Sequence, residues 1–190
     1  MESHAAQHRH RFPPQVREAR SGVSAASVAK VGLLAGLAGG MMMAIWQMAV
    51  GAIAQEPTAS PGIDQSFWTA VTAIPSVPFG EQWFHGGFEF WAVALGLVGH
   101  MMNSMLLGAI GAVLIVAVLG RRLGIAAAMM AGVAYGLLLE VVIVNLIVNQ
   151  VQTVETLYTA TPEWSWWVAH AIFGATLGML TAIFVKRGEA

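Results

Sequence analysis

A chain of 190 residues that is 57% hydrophobic and only 10% charged, with a mean hydropathy of +0.67, lacks the polar surface of a water-soluble domain, where about a quarter of residues are charged. Its formal net charge of −1 leaves no basic face long enough to follow a phosphate backbone, so nucleic acid is not an expected partner. The absence of cysteine excludes disulfides, thiolate metal sites, iron–sulfur clusters and thiol catalysis.

Residues 1–30 are polar, carry Arg9, Arg11, Arg17, Arg20 and Lys30, and contain Pro13-Pro14. Such a segment buries too little apolar surface to fold alone and is expected to be a disordered, basic cytoplasmic tail. Its His4, His8 and His10, interleaved with Arg9 and Arg11, suit attraction to anionic lipid better than metal binding. Four apolar stretches follow, over 31–54, 90–119, 123–148 and 164–185. Each reaches the ~20 residues that cross ~30 Å of hydrocarbon at ~1.5 Å per residue. The expected fold is all-α: a four-helix membrane domain over 31–185 with an outer loop at 55–89, closed by a short tail at 186–190. Ala52-Ile53-Ala54 before Gln55 resembles a signal-peptidase site. The preceding apolar core is longer than the 7 to 15 residues of a signal sequence, so the first helix is expected to stay.

Charge sets the orientation. The 55–89 loop holds Glu56, Asp64, Glu81 and Glu89 without a Lys or Arg, whereas Arg121-Arg122 mark the next connection. Glu155 and Glu163 precede the fourth span, and Lys186-Arg187 follow it. The positive-inside rule then puts both termini in the cytoplasm, as in a multi-pass protein of a bacterial inner membrane. Trp83, Trp91, Trp164, Trp166 and Trp167 are expected at the outer boundary, which favours amphipathic indoles. In the outer loop, Phe67 to Ile74 is too short to span and is expected to lie at the interface. Glu81, His85 and Glu89 would share a face if helical, but Gly86-Gly87 weaken a helix there.

The spans look like two copies of one hairpin. His100, Asn103, Ser104, Leu107, Gly108 and Gly111 in the second share offsets of 0, 3, 4, 7, 8 and 11 with His170, Phe173, Gly174, Leu177, Gly178 and Thr181 in the fourth. Ala35 to Gly40 in the first aligns with Ala131 to Gly136 in the third. Copies with two spans each have the same orientation, related by a pseudo-twofold axis along the membrane normal. Gly32, Gly36 and Gly40, with Gly132 and Gly136, are four apart, and Gly108 and Gly178 lie on the facing helices. These glycines are expected to let helix backbones approach where lipid supplies no hydrophobic drive.

The segments Gly99-His100-Met101-Met102-Asn103-Ser104-Met105-Leu106-Leu107-Gly108 and Ala169-His170-Ala171-Ile172-Phe173-Gly174-Ala175-Thr176-Leu177-Gly178 resemble the paired motifs of small four-helix bacterial membrane proteins, some of them labelled symporter-like. The resemblance covers roughly 31–185 and implies the fold. It brings no established chemistry, and the outer loop is longer than that family's pattern.

Counted from the inner ends of the spans, Gln47, Asn103, Glu140, His100 and His170 lie 15 to 19 residues in, about 23 to 28 Å at ~1.5 Å per residue. They predict one buried polar layer, in which Glu140 continues the line of Gly132 and Gly136. Three uses of that layer stay open. Glu140 and a histidine can tie the two halves of the bundle together as hydrogen-bonded glue. His100 and His170 can ligate haem or, with Glu140, a divalent metal. The layer can also carry protons or ions. The methionine clusters Met41-Met42-Met43 and Met101-Met102 point to several faces and read as apolar filling. With no nucleophile elbow, phosphate loop, zinc-protease helix or dinucleotide fingerprint, the chain is not expected to be an enzyme. The expected function is an accessory, assembly or scaffold subunit without a cofactor, set in the lipid bilayer among other membrane subunits. A haem- or metal-binding redox subunit and a small proton or ion conductor are the alternatives.

Overall fold

The computed structural model describes residues 24–54, 66–120, 124–142 and 161–187, and these contain helices and no strand. The helices are α1 (Ala25–Ala54), α2 (Thr69–Ala73), α3 (Ser76–Phe79), α4 (Phe90–Leu119), α5 (Ile125–Val142) and α6 (Glu163–Arg187), with a 3-10 turn at Glu81–Trp83. Of these, α1, α4, α5 and α6 are long and apolar enough to cross a membrane. The His4, His8 and His10 group, the Arg121-Arg122 turn, Glu56, Asp64 and Glu155, and residues 143–148 of the expected third span lie outside the described residues.

The first helix begins six residues before the expected 31. Ser24 caps it, its Oγ accepting from Ser27 N at 3.0 Å, which satisfies one of the donors a helix start leaves over. Val28 is then buried while Lys30 points outward, so residues 25–30 belong to the helix and not to the tail. At the other end of the chain, α6 carries Lys186 and Arg187 in its last turn, where cations complement the helix dipole. Glu89 caps α4, accepting from Ala92 N at 2.6 Å.

Glycine contacts define the packing. A Cβ at Gly36 would strike Ser104 O and the Gly108 backbone, and one at Gly32 would strike Gly108 O and Ala112. In the other hairpin a Cβ at Gly132 would strike Gly174 O and Gly178 N, and one at Gly136 would strike His170 O. Gly178 is pressed in the same way against Ala128 O. Rising residue numbers on α1 meet falling numbers on α4, and α5 meets α6 likewise, so each hairpin is antiparallel. The gain is dispersion and weak polar contact along bare backbone, which is what holds helices together in lipid.

α1 also packs extensively against α6, but α4 touches α5 only sparsely. The bundle therefore runs α4–α1–α6–α5, open between its two outermost members. Tyr135 stands in that opening. Its ring lies against Gly111 and its hydroxyl donates to Leu107 O at 2.8 Å.

The outer segment is more deeply built in than an interfacial helix. In α2, Thr69, Thr72 and Ala73 are fully buried, and the Val71 carbonyl sits where a Cβ on Gly96 of α4 would be. Thr72 Oγ1 donates to His85 O, and Ser66 Oγ donates to Gly86 O. These bonds satisfy the loop carbonyls and fold 84–89 as an extended strap that ends on the Glu89 cap. Glu81, His85 and Glu89 consequently do not share a helical face.

Trp91, Trp164 and Trp167 are exposed, as indoles at a membrane boundary should be, but Trp166 is buried in the core. Trp46 was not among the expected boundary indoles, and its ring meets Trp164 edge-on at 6.2 Å between centroids.

Candidate functional site

The polar residues of the expected layer separate into pairs. Glu140 is fully buried, and its Oε2 lies 2.8 Å from His170 Nδ1. The same nitrogen is 3.0 Å from Trp166 O. A carbonyl can only accept, so Nδ1 carries the hydrogen and donates it to Trp166 O, with the Glu140 carboxyl in ion-pair contact beside it. The pair avoids a lone buried charge when it is neutral in sum, either as carboxylate with imidazolium or as carboxylic acid with imidazole. Both residues belong to one hairpin. The expectation that Glu140 joins the two halves of the bundle is thus corrected: it ties α5 to α6.

His100 does not join them. Its Nε2 donates to Gly40 O at 2.9 Å, linking α4 to α1 in the other hairpin. The alignment of the hairpins explains the difference. The position matching Glu140 is Ala44, so no carboxyl is offered to His100, and the ring takes the nearest bare carbonyl instead.

Asn103, expected in the buried layer, is exposed on the outside of α4. Its helical neighbour Ser104 takes the inward place and is buried against α1. Gln47 is buried, 3% exposed. Its Oε1 accepts from Ser165 Oγ at 3.0 Å and from Thr161 Oγ1 at 3.1 Å, while its Nε2 has no hydrogen-bond partner among the described residues. Trp46 Nε1 donates to Ser165 O at 3.1 Å. The halves of the bundle are therefore joined by Trp46 and Gln47 on the α1–α6 side and by Tyr135 on the α4–α5 side.

Trp46, Tyr135, Thr161 and Ser165 were absent from the sequence-based site. The hairpin alignment contained a signal for Tyr135, which breaks the small-residue pattern where Gly39 stands in the other copy. Thr161, just ahead of α6, and Ser165, in its first turn, bring their hydroxyls within 3.2 Å of each other.

Met43, Gln47, Met48, Val71, His100 and Trp166 help line a cavity of about 30 Å³ with apolar walls. That is room for about two water molecules, far below the size of a porphyrin. Among the described residues no three His, Asp or Glu side chains converge as a metal would need. His170 and Glu140 touch, and His100 turns to Gly40.

Inward of the Glu140–His170 pair the core is Phe173, Leu177, Ala112 and Ala128, none more than 2% exposed. Gly174 and Gly178 are sealed there against α5. Thr181 is the next buried polar side chain on α6, and its Oγ1 has no hydrogen-bond partner among the described residues. Along α6 the polar side chains thus reach from the Thr161 end down to His170 and are followed by a close-packed apolar stretch.

No protein-family model matches this chain, and neither a curated protein nor a solved structure matches it significantly.

Proposed function

We propose that this chain is a non-enzymatic, multi-pass scaffold or accessory subunit of a bacterial inner membrane, with both termini in the cytoplasm. One observation carries the reading: Gln47, His100, Glu140 and His170, the inward-facing polar side chains of the expected layer, each meet a neighbouring helix. His100 joins α4 to α1, Glu140 and His170 join α5 to α6, and Trp46 and Gln47 join α1 to α6. Such bonds are worth having in lipid because the alternative for each group is hydrocarbon. A ligand site or a conduction path would leave polar groups converging on a space, and the space beside His100 is small and apolar.

The basic tail, the Arg121-Arg122 turn and Lys186-Arg187 support the orientation. Gentle purification followed by absorption spectroscopy and metal analysis tests the function. A colourless, metal-free protein that passes no protons in liposomes is expected. A stoichiometric haem with a Soret band lost in His100→Ala or His170→Ala would replace this reading with a redox subunit. A pH-driven flux abolished by Glu140→Gln, with folding intact, would replace it with a conductor.

A further inference from the structure

We propose that Asn103 and Gly99, on the outer face of α4, form the centre of a contact between two copies of this chain. α4 is 30 residues long, about 45 Å against ~30 Å of hydrocarbon. Asn103 lies 13 residues from Phe90 and 16 from Leu119. Wherever the helix sits, with all its excess length at either end, Asn103 remains at least about 4 Å inside the hydrocarbon.

There it is exposed, flanked by Met102 and Leu106 at 66% and 59% exposure, and it has no hydrogen-bond partner among the described residues. Lipid tails offer an amide neither donor nor acceptor, so a buried-in-lipid asparagine is costly until a polar partner covers it. The described residues of the bundle do not supply one. Tyr135 holds α5 away from α4 at this side, bonded instead to Leu107 O. Phe173, the residue at the matching place in the other hairpin, is apolar and only 2% exposed, so packing alone does not call for an amide here.

The occupant that fits is a second α4. An amide has both an acceptor oxygen and donor hydrogens, so two copies of Asn103 facing each other across a twofold axis satisfy one another with two bonds. One turn away, Gly99 is exposed and a Cβ there would meet only Ile74 Cγ2, at 3.8 Å. The glycine is therefore not needed by the fold of one chain, unlike Gly32, Gly36 or Gly40. It leaves the backbone bare where a second helix would approach closely.

The full chain, purified and reconstituted in phosphatidylcholine vesicles, tests this directly, since the lack of native cysteine lets single labels be placed. With donor and acceptor dyes on Gly188→Cys, energy transfer should rise with protein density. Asn103→Leu should weaken self-association about tenfold, while Asn103→Gln, which keeps the amide, should stay within about threefold of the parent. In unlabelled protein, Leu106→Cys should oxidise to a cross-linked dimer, whereas Leu34→Cys, on the exposed face of α1, should not. The proposal is overturned if energy transfer stays at the level of random proximity, or if Asn103→Leu associates like the parent. It is equally overturned if the purified chain is monomeric and co-purifies from native membranes with a different protein through this face. Should Asn103→Leu fail to fold, judged by its helical circular dichroism, the Leu106→Cys cross-link decides alone.

Discussion

Gly39 on α1 and Tyr135 on α5 hold matching places in the two hairpins and set opposite distances to the helix each faces. A Cβ on Gly39 would lie 2.9 Å from Phe173 O, so α1 and α6 meet backbone to backbone. At Tyr135 a whole ring fills the same place, against Gly111 and Leu107 of α4. One residue pair thus accounts for a bundle that is closed between α1 and α6 and open between α4 and α5.

The Tyr135 hydroxyl should be the weaker half of that wedge. Tyr135→Phe keeps the ring and removes one interhelical hydrogen bond, which in membranes averages ~0.6 kcal/mol. Tyr135→Ala also removes the ring, which is partly buried against the core, and should cost more, about 1 to 3 kcal/mol. Unfolding in mixed detergent measures both, and equal losses would mean that the ring is not packed as described.

Gly136 should tolerate no side chain. Gly136→Ala drives a Cβ into His170 O and should destabilise the bundle by about 1 to 3 kcal/mol. Gly124→Ala, where nothing lies within 4 Å, should change little. Gly120 is not a neutral control although its surroundings are open, because its φ of 68° ends α4 in the left-handed region, where any side chain is strained. Thermal melts in detergent that rank the two alanine variants together would argue against the α5–α6 contact.

The Glu140–His170 pair should behave as a coupled unit. Glu140→Gln keeps the shape and polarity of the side chain in contact with His170 and should cost less than about 1 kcal/mol. Glu140→Leu or His170→Leu alone leaves a buried polar partner and should cost about 1 to 3 kcal/mol. The double leucine variant should recover much of that loss, since replacing both members of a buried pair is often near neutral. A double-mutant cycle with strictly additive losses would show that the two side chains do not interact.

Topology is testable in intact cells. A cysteine replacing Ser60 should react with an impermeant maleimide added outside, and one replacing Ser21 should not, as the positive-inside rule requires. N-terminal sequencing should place the start of the mature chain ahead of α1, which supplies Val28, Ala35 and Met43 to the core. A mature protein beginning at Gln55 would contradict that.

The sequence by itself determined the number of spans, their centres and the packing glycines. A hydrophobic run long enough to cross lipid has few alternatives, because every backbone group must bond within its own helix, and glycines four apart announce a bare helix face. A constant rise per residue converts position into height, and Glu140 and His170, counted to similar heights, do meet. What height leaves out is azimuth. Asn103 and Ser104 differ by one residue and about 100° around α4, and only the direction of α1 turned the serine inward and the asparagine outward. The same holds for partner choice: His170 meets Glu140 because α5 carries a carboxyl one turn beyond Gly136, while His100 faces the Gly40 carbonyl because Ala44 stands at that place. Which of two similar helix pairs closes and which stays open was decided by a single glycine-to-tyrosine difference, acting through side-chain volume against a neighbour that is known only once the bundle is assembled.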